Sequence, residues 1–272
     1  MIANPTQEDA NMAGHDFSSL AGRTVLITGG AGHIGCTLTS AFLQNGSHVA
    51  TADLKATPVI GTFSKSDRHH HFVVDLSEPG VATNLVDEVV SWSGGLNVVI
   101  TTASWMGDSG TPGWNVPFED QDESLWPKAL SVGVTSNFAL VRRAASALSA
   151  NGCGSVILLS SIYGFCAPQP AMYEGTSINN LAGYAASKGA TVQLARWLST
   201  IMAPDVRVNT LSPGGLVRDQ EPEFVQRYAE RTPLGRMASE DDLVGPVLFL
   251  ASDLSRYVTG HNLVVDGGFS VW

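Results

Sequence analysis

A short apolar run, Val25-Leu26-Ile27, opens directly into Thr28-Gly29-Gly30-Ala31-Gly32-His33-Ile34-Gly35 and then into a helical pattern that continues to about Asn45. Strand, glycine turn and helix in that order admit few folds. Glycines allow the tight turn and let backbone N–H groups approach a pyrophosphate at the helix N-terminus. A turn that merely joins two elements needs no such agreement among all three parts, so Gly29, Gly32, His33, Ile34 and Gly35 are read as the wall of a dinucleotide site. His33 stands alone in this loop, which suits it to the edge of a cofactor rather than to a metal.

The next apolar run, from His48 to Ala52, ends in Asp53, 18 residues beyond Gly35, with Leu54 following. A carboxylate at about 20 residues is where the ribose 2′-hydroxyl of NAD is taken, and it repels the extra phosphate of NADP. NAD(H) is therefore the expected cofactor, with Lys55 close enough to soften the preference. A strand from His71 to Val74 leads to Asp75-Leu76. His69, His70 and His71 are adjacent in an extended segment, so their side chains point to opposite faces and chelate poorly; they are read as a polar strand entrance, and no metal is expected. Pro79 to Trp92 reads as a helix with proline near its first turn, and Asn97 to Ile100 as a strand delivering Thr101-Thr102-Ala103-Ser104. The irregular stretch from Trp105 to Gln121 is long for a compact domain and is expected over the binding cleft.

Further on, a helical pattern from Trp126 to Ala150 precedes a strand from Ser155 to Ser160 with Ser161 at its end. Leu181-Ala-Gly-Tyr184-Ala-Ala-Ser-Lys188 opens a small-residue helix reaching Met202, and a strand from Val206 leads to Ser212-Pro213-Gly214. Helices from Glu221 to Arg231 and from Asp241 to Ser252 and a strand from Asn262 to Asp266 complete the chain, which has no internal repeat. The 272 residues are 44% hydrophobic and 15% charged, which suits one well-buried domain over 21–272 behind a mobile leader, 1–20. The net charge of −10 speaks against nucleic acid or an anionic membrane as partner and for a small-molecule substrate. Three cysteines without C-x-x-C spacing fit a reducing, cytoplasmic setting.

Tyr184 and Lys188, four apart, share one helical face. A cation about 4 Å away at an effective dielectric near 20 is worth roughly 4 kcal/mol, enough to bring a phenol's pKa of about 10 down by up to about 3. Tyr184 is thus a candidate acid-base group near neutrality.

The glycine turn, Asp53, Ser161 and Tyr184-Ala-Ala-Ser-Lys188, in that order, resemble the short-chain dehydrogenase/reductase family from Arg23 to the C-terminus. The stretches Val206-Arg-Val-Asn-Thr-Leu-Ser-Pro-Gly214 and Gly260-His-Asn-Leu-Val-Val-Asp-Gly-Gly268 are similar to its compact single-domain branch. The resemblance implies an α/β, doubly wound (Rossmann) fold: a seven-stranded parallel sheet with helices on both faces. It implies hydride transfer between a nicotinamide and an alcohol or carbonyl carbon. Tyr184 would be the acid-base, Lys188 would lower its pKa and hold the nicotinamide ribose, and Ser161 would hydrogen-bond the reacting oxygen. Asp75 and Leu76 would border the adenine, Ala103 and Ser104 line the cofactor, and the backbone of Pro213, Gly214 and Leu216 meet the carboxamide. A homo-oligomer, tetramer or dimer, is implied, with the helices from Trp126 and from Leu181 at one interface.

The chain departs from the family pattern in four places. His33 stands where the compact branch has glycine, Thr101-Thr102-Ala103-Ser104 replaces Asn-Asn-Ala-Gly, and Gly133 occupies the place of an asparagine that anchors a water near the catalytic lysine. Ser161 and Tyr184 are 23 apart, and the intervening insertion resembles the sugar-nucleotide-modifying branch. Tyr173 has the shorter spacing from Ser161, but position 177 is serine, so Tyr184 keeps the role and Tyr173 is assigned to a lid. The leading expectation is an NAD(H)-dependent oxidoreductase of a polar, sugar-like substrate. A sugar-nucleotide epimerase or dehydratase, and a cofactor-binding protein with impaired catalysis, remain the alternatives.

Overall fold

The computed structural model describes residues 16–60, 66–107 and 111–272. Its strands are β1 (Thr24–Thr28), β2 (His48–Asp53), β3 (His69–Val73), β4 (Val98–Thr101), β5 (Gly154–Leu159), β6 (Val206–Pro213) and β7 (Asn262–Val265). The helices are α1 (His33–Gln44), α2 (Val81–Ser93), α3 (Trp126–Leu130), α4 (Ser136–Ser149), α5 (Ala182–Ile201), α6 (Pro222–Arg231) and α7 (Asp241–Ala251). All seven strands are parallel, in the order β3-β2-β1-β4-β5-β6-β7. The chain winds outward from β1 to β3, then crosses back to lay β4 on the other side of β1. A crevice opens at that reversal, beyond the carboxyl ends of the strands, where open α/β sheets take their ligands.

Strand alternation sorts the core into two layers. Leu26, Val99, Val156 and Leu158 face α2, α4 and α5, packing against Leu85, Val89, Leu140, Ala144 and Leu198. Their neighbours Val25, Ile27, Val98, Ile100 and Ile157 face α1 and α7, against Leu38, Phe42, Leu243 and Val247. Fully burying a side chain such as Leu26 or Phe42 contributes about 1.5–3 kcal/mol, and both layers are needed because strands covered on each face read as continuous apolar runs.

The structure corrects several expected boundaries. Residues 1–15 of the expected leader lie outside the described residues, but its end is not free: Leu20 is fully buried and Phe17 packs on the α1/α7 layer. β3 begins two residues early, so the histidines belong to the strand itself. Pairing with β2 decides this, and Thr51 Oγ1 partners both His69 Nε2 (3.0 Å) and His71 Nδ1 (2.9 Å), which makes polar rings tolerable there. Pro79 precedes α2 rather than entering it, because Gly80 takes a left-handed φ of 83° between them. β6 runs on to Pro213 because residues 210–213 pair with β7.

The expected helix from Trp126 to Ala150 is continuous but not uniform. A π-helical stretch, Ser131–Thr135, separates α3 from α4, with Gly133 buried at its centre. Gly133 faces Ser187 of α5, and its carbonyl accepts from Asn137 Nδ2 (2.7 Å) and Thr191 Oγ1 (3.2 Å). A widened turn frees a carbonyl from helical pairing, and these side chains satisfy it.

Candidate active site

The crevice holds two cavities that meet end to end. The first, about 380 Å³, runs along the ends of β1, β2 and β4. It is lined by Gly29, Gly32, His33, Ile34 and Gly35 of the turn, and by Asp53 and Leu54 at the end of β2. Asp75 and Leu76 beyond β3, and Ala103 and Ser104 beyond β4, complete the residues that the sequence singles out for this half.

The turn is built by close packing. Gly29 has φ 71°, and a Cβ on it would sit 2.6 Å from Thr102 Oγ1; one on Gly35 would sit 2.2 Å from Gly29 O. Gly32, the N-cap of α1, is different. Its φ of −73° and ψ of 168° suit any residue, and a Cβ there would meet only Gly29 O, at 3.2 Å. What its missing side chain leaves clear is the cavity wall at the helix N-terminus, so the residues present fit the pyrophosphate of a dinucleotide. Asp53 is tied to the same turn: its Oδ2 accepts from Ala31 N (3.0 Å) and its Oδ1 from Lys55 N (2.9 Å). Asp75 accepts from the backbone and hydroxyl of Ser77, which hold its carboxyl below the usual carboxylate range.

The second cavity, about 620 Å³, is lined by Ser161, Tyr184 and Lys188 and by Pro213, Gly214 and Leu216. Ser161 caps a short 3-10 turn, Ile162–Gly164, accepting from Tyr163 N at 3.2 Å. That turn lies hard against α5: a Cβ on Gly164 would be 2.8 Å from Lys188 O, and Ser160 Oγ donates to the same carbonyl at 2.9 Å. These contacts fix β5 and α5 together and place Ser161 and Tyr184 on the wall of the same cavity. The start of α5 is wedged in place by Trp114 and Trp126, each 3.1 Å from where a Gly183 Cβ would lie.

The electrostatics depart from expectation. Lys188 is buried, donates to Leu159 O at 2.9 Å, and stands 5.4 Å from the centroid of the Tyr184 ring rather than at its hydroxyl. Burial pushes the Tyr184 phenol up, with the Ser161 hydroxyl pulling the other way, so no net lowering by Lys188 is seen. Burial brings Lys188 itself down to about 8. Both shifts disfavour charge in an enclosed site.

Tyr173, assigned to a lid, does line the second cavity. Its hydroxyl pairs with that of Tyr163 and accepts from Asn180 Nδ2 at 3.4 Å. Burial and the neighbouring Tyr173 push the Tyr163 phenol far above its usual range. Of the two loop tryptophans, Trp114 is buried against Ala129, Leu181 and Tyr184, whereas Trp105 borders the first cavity. Sequence reasoning passed over Tyr163, Asn180, Lys128 and Arg218, which reach the cavities only through the packing of the insertion, the π-interrupted helix and the segment after β6.

A family model described as enoyl-(acyl carrier protein) reductase matches residues 29–270, which takes in the residues named for both cavities and the strands β2 to β7. The chain is a short-chain dehydrogenase/reductase. Like other members of that family it is an oxidoreductase acting on alcohol or carbonyl carbons. It is 30% identical to a sorbose reductase of Schizosaccharomyces pombe, over 92% of this chain and 97% of that one. It is 31% identical to a secoisolariciresinol dehydrogenase of Forsythia intermedia, over 93% of this chain and 90% of the relative. A short-chain dehydrogenase from Leptospira borgpetersenii, solved with bound NAD+, superposes with a TM-score of 0.84 at 31% identity and covers 95% of this chain and 97% of its own. No helix among the described residues is long and apolar enough to cross a membrane.

Proposed function

We propose that this short-chain dehydrogenase/reductase is an NAD(H)-dependent oxidoreductase of an uncharged, hydroxylated, sugar-like substrate. The observation that carries the reading is the meeting of the two cavities: Ser161, Tyr184 and Lys188 stand at the end of a cleft whose other end is the glycine turn and Asp53. A bound nicotinamide would give or take the hydride. In the reducing direction the Tyr184 hydroxyl gives its proton to the substrate oxygen, and in the oxidising direction it takes one. Its raised pKa keeps that proton in place at neutral pH. Ser161, which lines the same cavity, holds the reacting oxygen beside the phenol. Lys188, at about 8, still carries its charge for most of the time at neutral pH and steadies the phenolate that forms.

Asp53 supports NAD(H) over NADP(H), since it lines the first cavity, where a ribose diol could donate to a carboxylate and a phosphate would be repelled. The substrate class is supported by the far wall of the second cavity, where Tyr163, Tyr173 and Asn180 offer neutral hydrogen-bonding groups beside the apolar Ile178 and Phe224. The similarity to a sorbose reductase points the same way. Free Cys36, Cys153 and Cys166 suit a reducing compartment such as the cytoplasm. A homo-oligomer, tetramer or dimer, is supported by α4 and α5, whose outer side exposes Trp197 (51%) and Ile201 (61%) beside Phe138.

The test is a panel of sugars, polyols and their ketones with NAD(H) and NADP(H), followed at the nicotinamide absorbance. Turnover of neutral polyols with NAD(H) is expected. Turnover confined to charged acids, or dependent on NADP(H), overturns the assignment of substrate or cofactor respectively. Light scattering that finds only monomer at micromolar concentration refutes the oligomer.

A further inference from the structure

Among the described residues, four line both cavities: Ile34, Thr102, Ser104 and Arg218. Arg218 is the charged one among them. It therefore stands at the junction, on the wall shared with Ile34, which sits in the first turn of α1 behind the glycine turn. The two lysines lining the cavities, Lys128 and Lys188, each line only one of them. Lys128 lies over the Trp105 ring at 5.4 Å and acts on Asp75, and Lys188 is buried against Leu159 O.

The base of Arg218 is fixed firmly. Leu216 bridges to Ala238, Val217 N donates to Ala238 O (2.9 Å) and Ala238 N to Gly215 O (3.0 Å). The Gln220 side chain then brackets the position, accepting from Arg218 N at 2.5 Å and donating to Leu216 O at 2.9 Å. The head of the side chain is less committed. It pairs with Glu240 just before α7 and donates to Val217 O at 2.7 Å, with 31% of the side chain exposed. A guanidinium has five donors in a planar fork that matches paired phosphate oxygens, and these contacts leave donors free.

Resting on the reading of the first cavity as a dinucleotide site, we infer that Arg218 is the pyrophosphate clamp. It grips the cofactor's two phosphates at the junction of the two cavities. A chain with a net charge of −10 repels a dianionic ligand at long range, and the glycine turn contributes only backbone dipoles, so a cation at the junction supplies the charge the pyrophosphate needs. Glu240 pairs with the guanidinium without closing off its remaining donors, so it competes with the phosphates for the Arg218 head rather than placing it. Because the same segment continues into α6, whose Phe224 and Tyr228 wall the second cavity, the clamp also anchors the substrate side once the cofactor is seated.

The test is a set of titrations of the whole protein without substrate, read by tryptophan fluorescence and calorimetry, with NADH, with ADP-ribose, which carries the pyrophosphate but no nicotinamide, and with adenosine, which has no phosphate. Arg218→Gln is expected to weaken NADH and ADP-ribose at least tenfold and to leave adenosine within twofold. Arg218→Lys should recover part of the loss. Wild-type affinity for ADP-ribose should fall more steeply with added salt than that of Arg218→Gln. Glu240→Gln should leave ADP-ribose binding intact or tighter, since it releases the guanidinium. Wild-type protein that binds neither NADH nor ADP-ribose overturns the cofactor reading and the clamp with it. Wild-type binding with unchanged ADP-ribose affinity in Arg218→Gln overturns the clamp alone. Equal weakening of all three ligands, with a lowered melting temperature, assigns Arg218 a merely structural role.

Discussion

Gly133 offers a direct test of how the helix beneath the active site is built. A Cβ placed on it would lie 3.5 Å from Ser187 Oγ and 3.6 Å from Ser187 Cβ, ordinary contact with no clash. Replacing a helix-interior glycine by alanine contributes about 1 kcal/mol from backbone entropy. Burying one more methyl against Ser187 contributes up to about 0.8 kcal/mol. Gly133→Ala should therefore stabilise the protein by about 1–2 kcal/mol and raise its melting temperature by about 2–5 °C for a chain of this size. Calorimetry on the protein without cofactor measures this directly, with urea unfolding as a check. A melting temperature lowered by about 2 °C or more would refute the reasoning, because it would mean that the π turn and the bonds from Asn137 and Thr191 to the Gly133 carbonyl cannot accommodate a Cβ. Gly133→Asn separates stability from chemistry. If an amide here strengthens a proton path to Lys188, kcat rises in the asparagine variant and not in the alanine one, provided proton or hydride transfer limits the rate. An equal rise in both would trace the effect to stability alone.

Tyr184→Phe keeps the ring and loses the proton donor, so turnover should drop about a hundredfold or more while NADH still binds; steady-state rates and fluorescence titration check this, and undiminished turnover removes Tyr184 from the chemistry. Asp53→Ala should erode the preference for NAD(H), seen as a fall in the ratio of kcat/KM for NAD+ over NADP+, and an unchanged ratio refutes the role given to its carboxylate. For pH, Lys188 has a pKa of about 8 in the folded protein against an ordinary 10.5. Between these values the unfolded chain binds more protons, so this group's contribution to stability grows as pH rises through about 8 and is a constant cost below it. The raised phenols of Tyr184 and Tyr228 work in the opposite direction above about 10. Urea unfolding from about pH 7.5 to about 9.5 should show wild type gaining on Lys188→Met, and a constant gap between the two would contradict the shift.

Most of the scaffold was legible in the chain because its signals are local. An apolar run, a glycine turn and a helix at Val25–Asn45 specify one another within a few residues. The same is true of Asp53 at a strand end and of Tyr184 and Lys188 four apart on a helix: covalent spacing alone puts such groups on one face or at one edge. Alternation along β1, β4 and β5 likewise dictates two apolar layers before any contact is known. Tertiary structure decided what depends on elements distant in sequence. Pairing with β2 and a shared Thr51 hydroxyl drew three histidines into β3, against their polarity. Contact with Ser187 and Thr191 of α5 widened one turn of a helix whose sequence reads as uniform. Burial reversed the expected direction for Tyr184, because the low dielectric around a phenol is set by the residues enclosing it and not by the lysine four positions on. Arg218 was invisible for the same reason. A single arginine in an irregular segment carries no periodicity and no motif, and it acquires meaning only when the bridge from Leu216 to Ala238 holds it where the two cavities join.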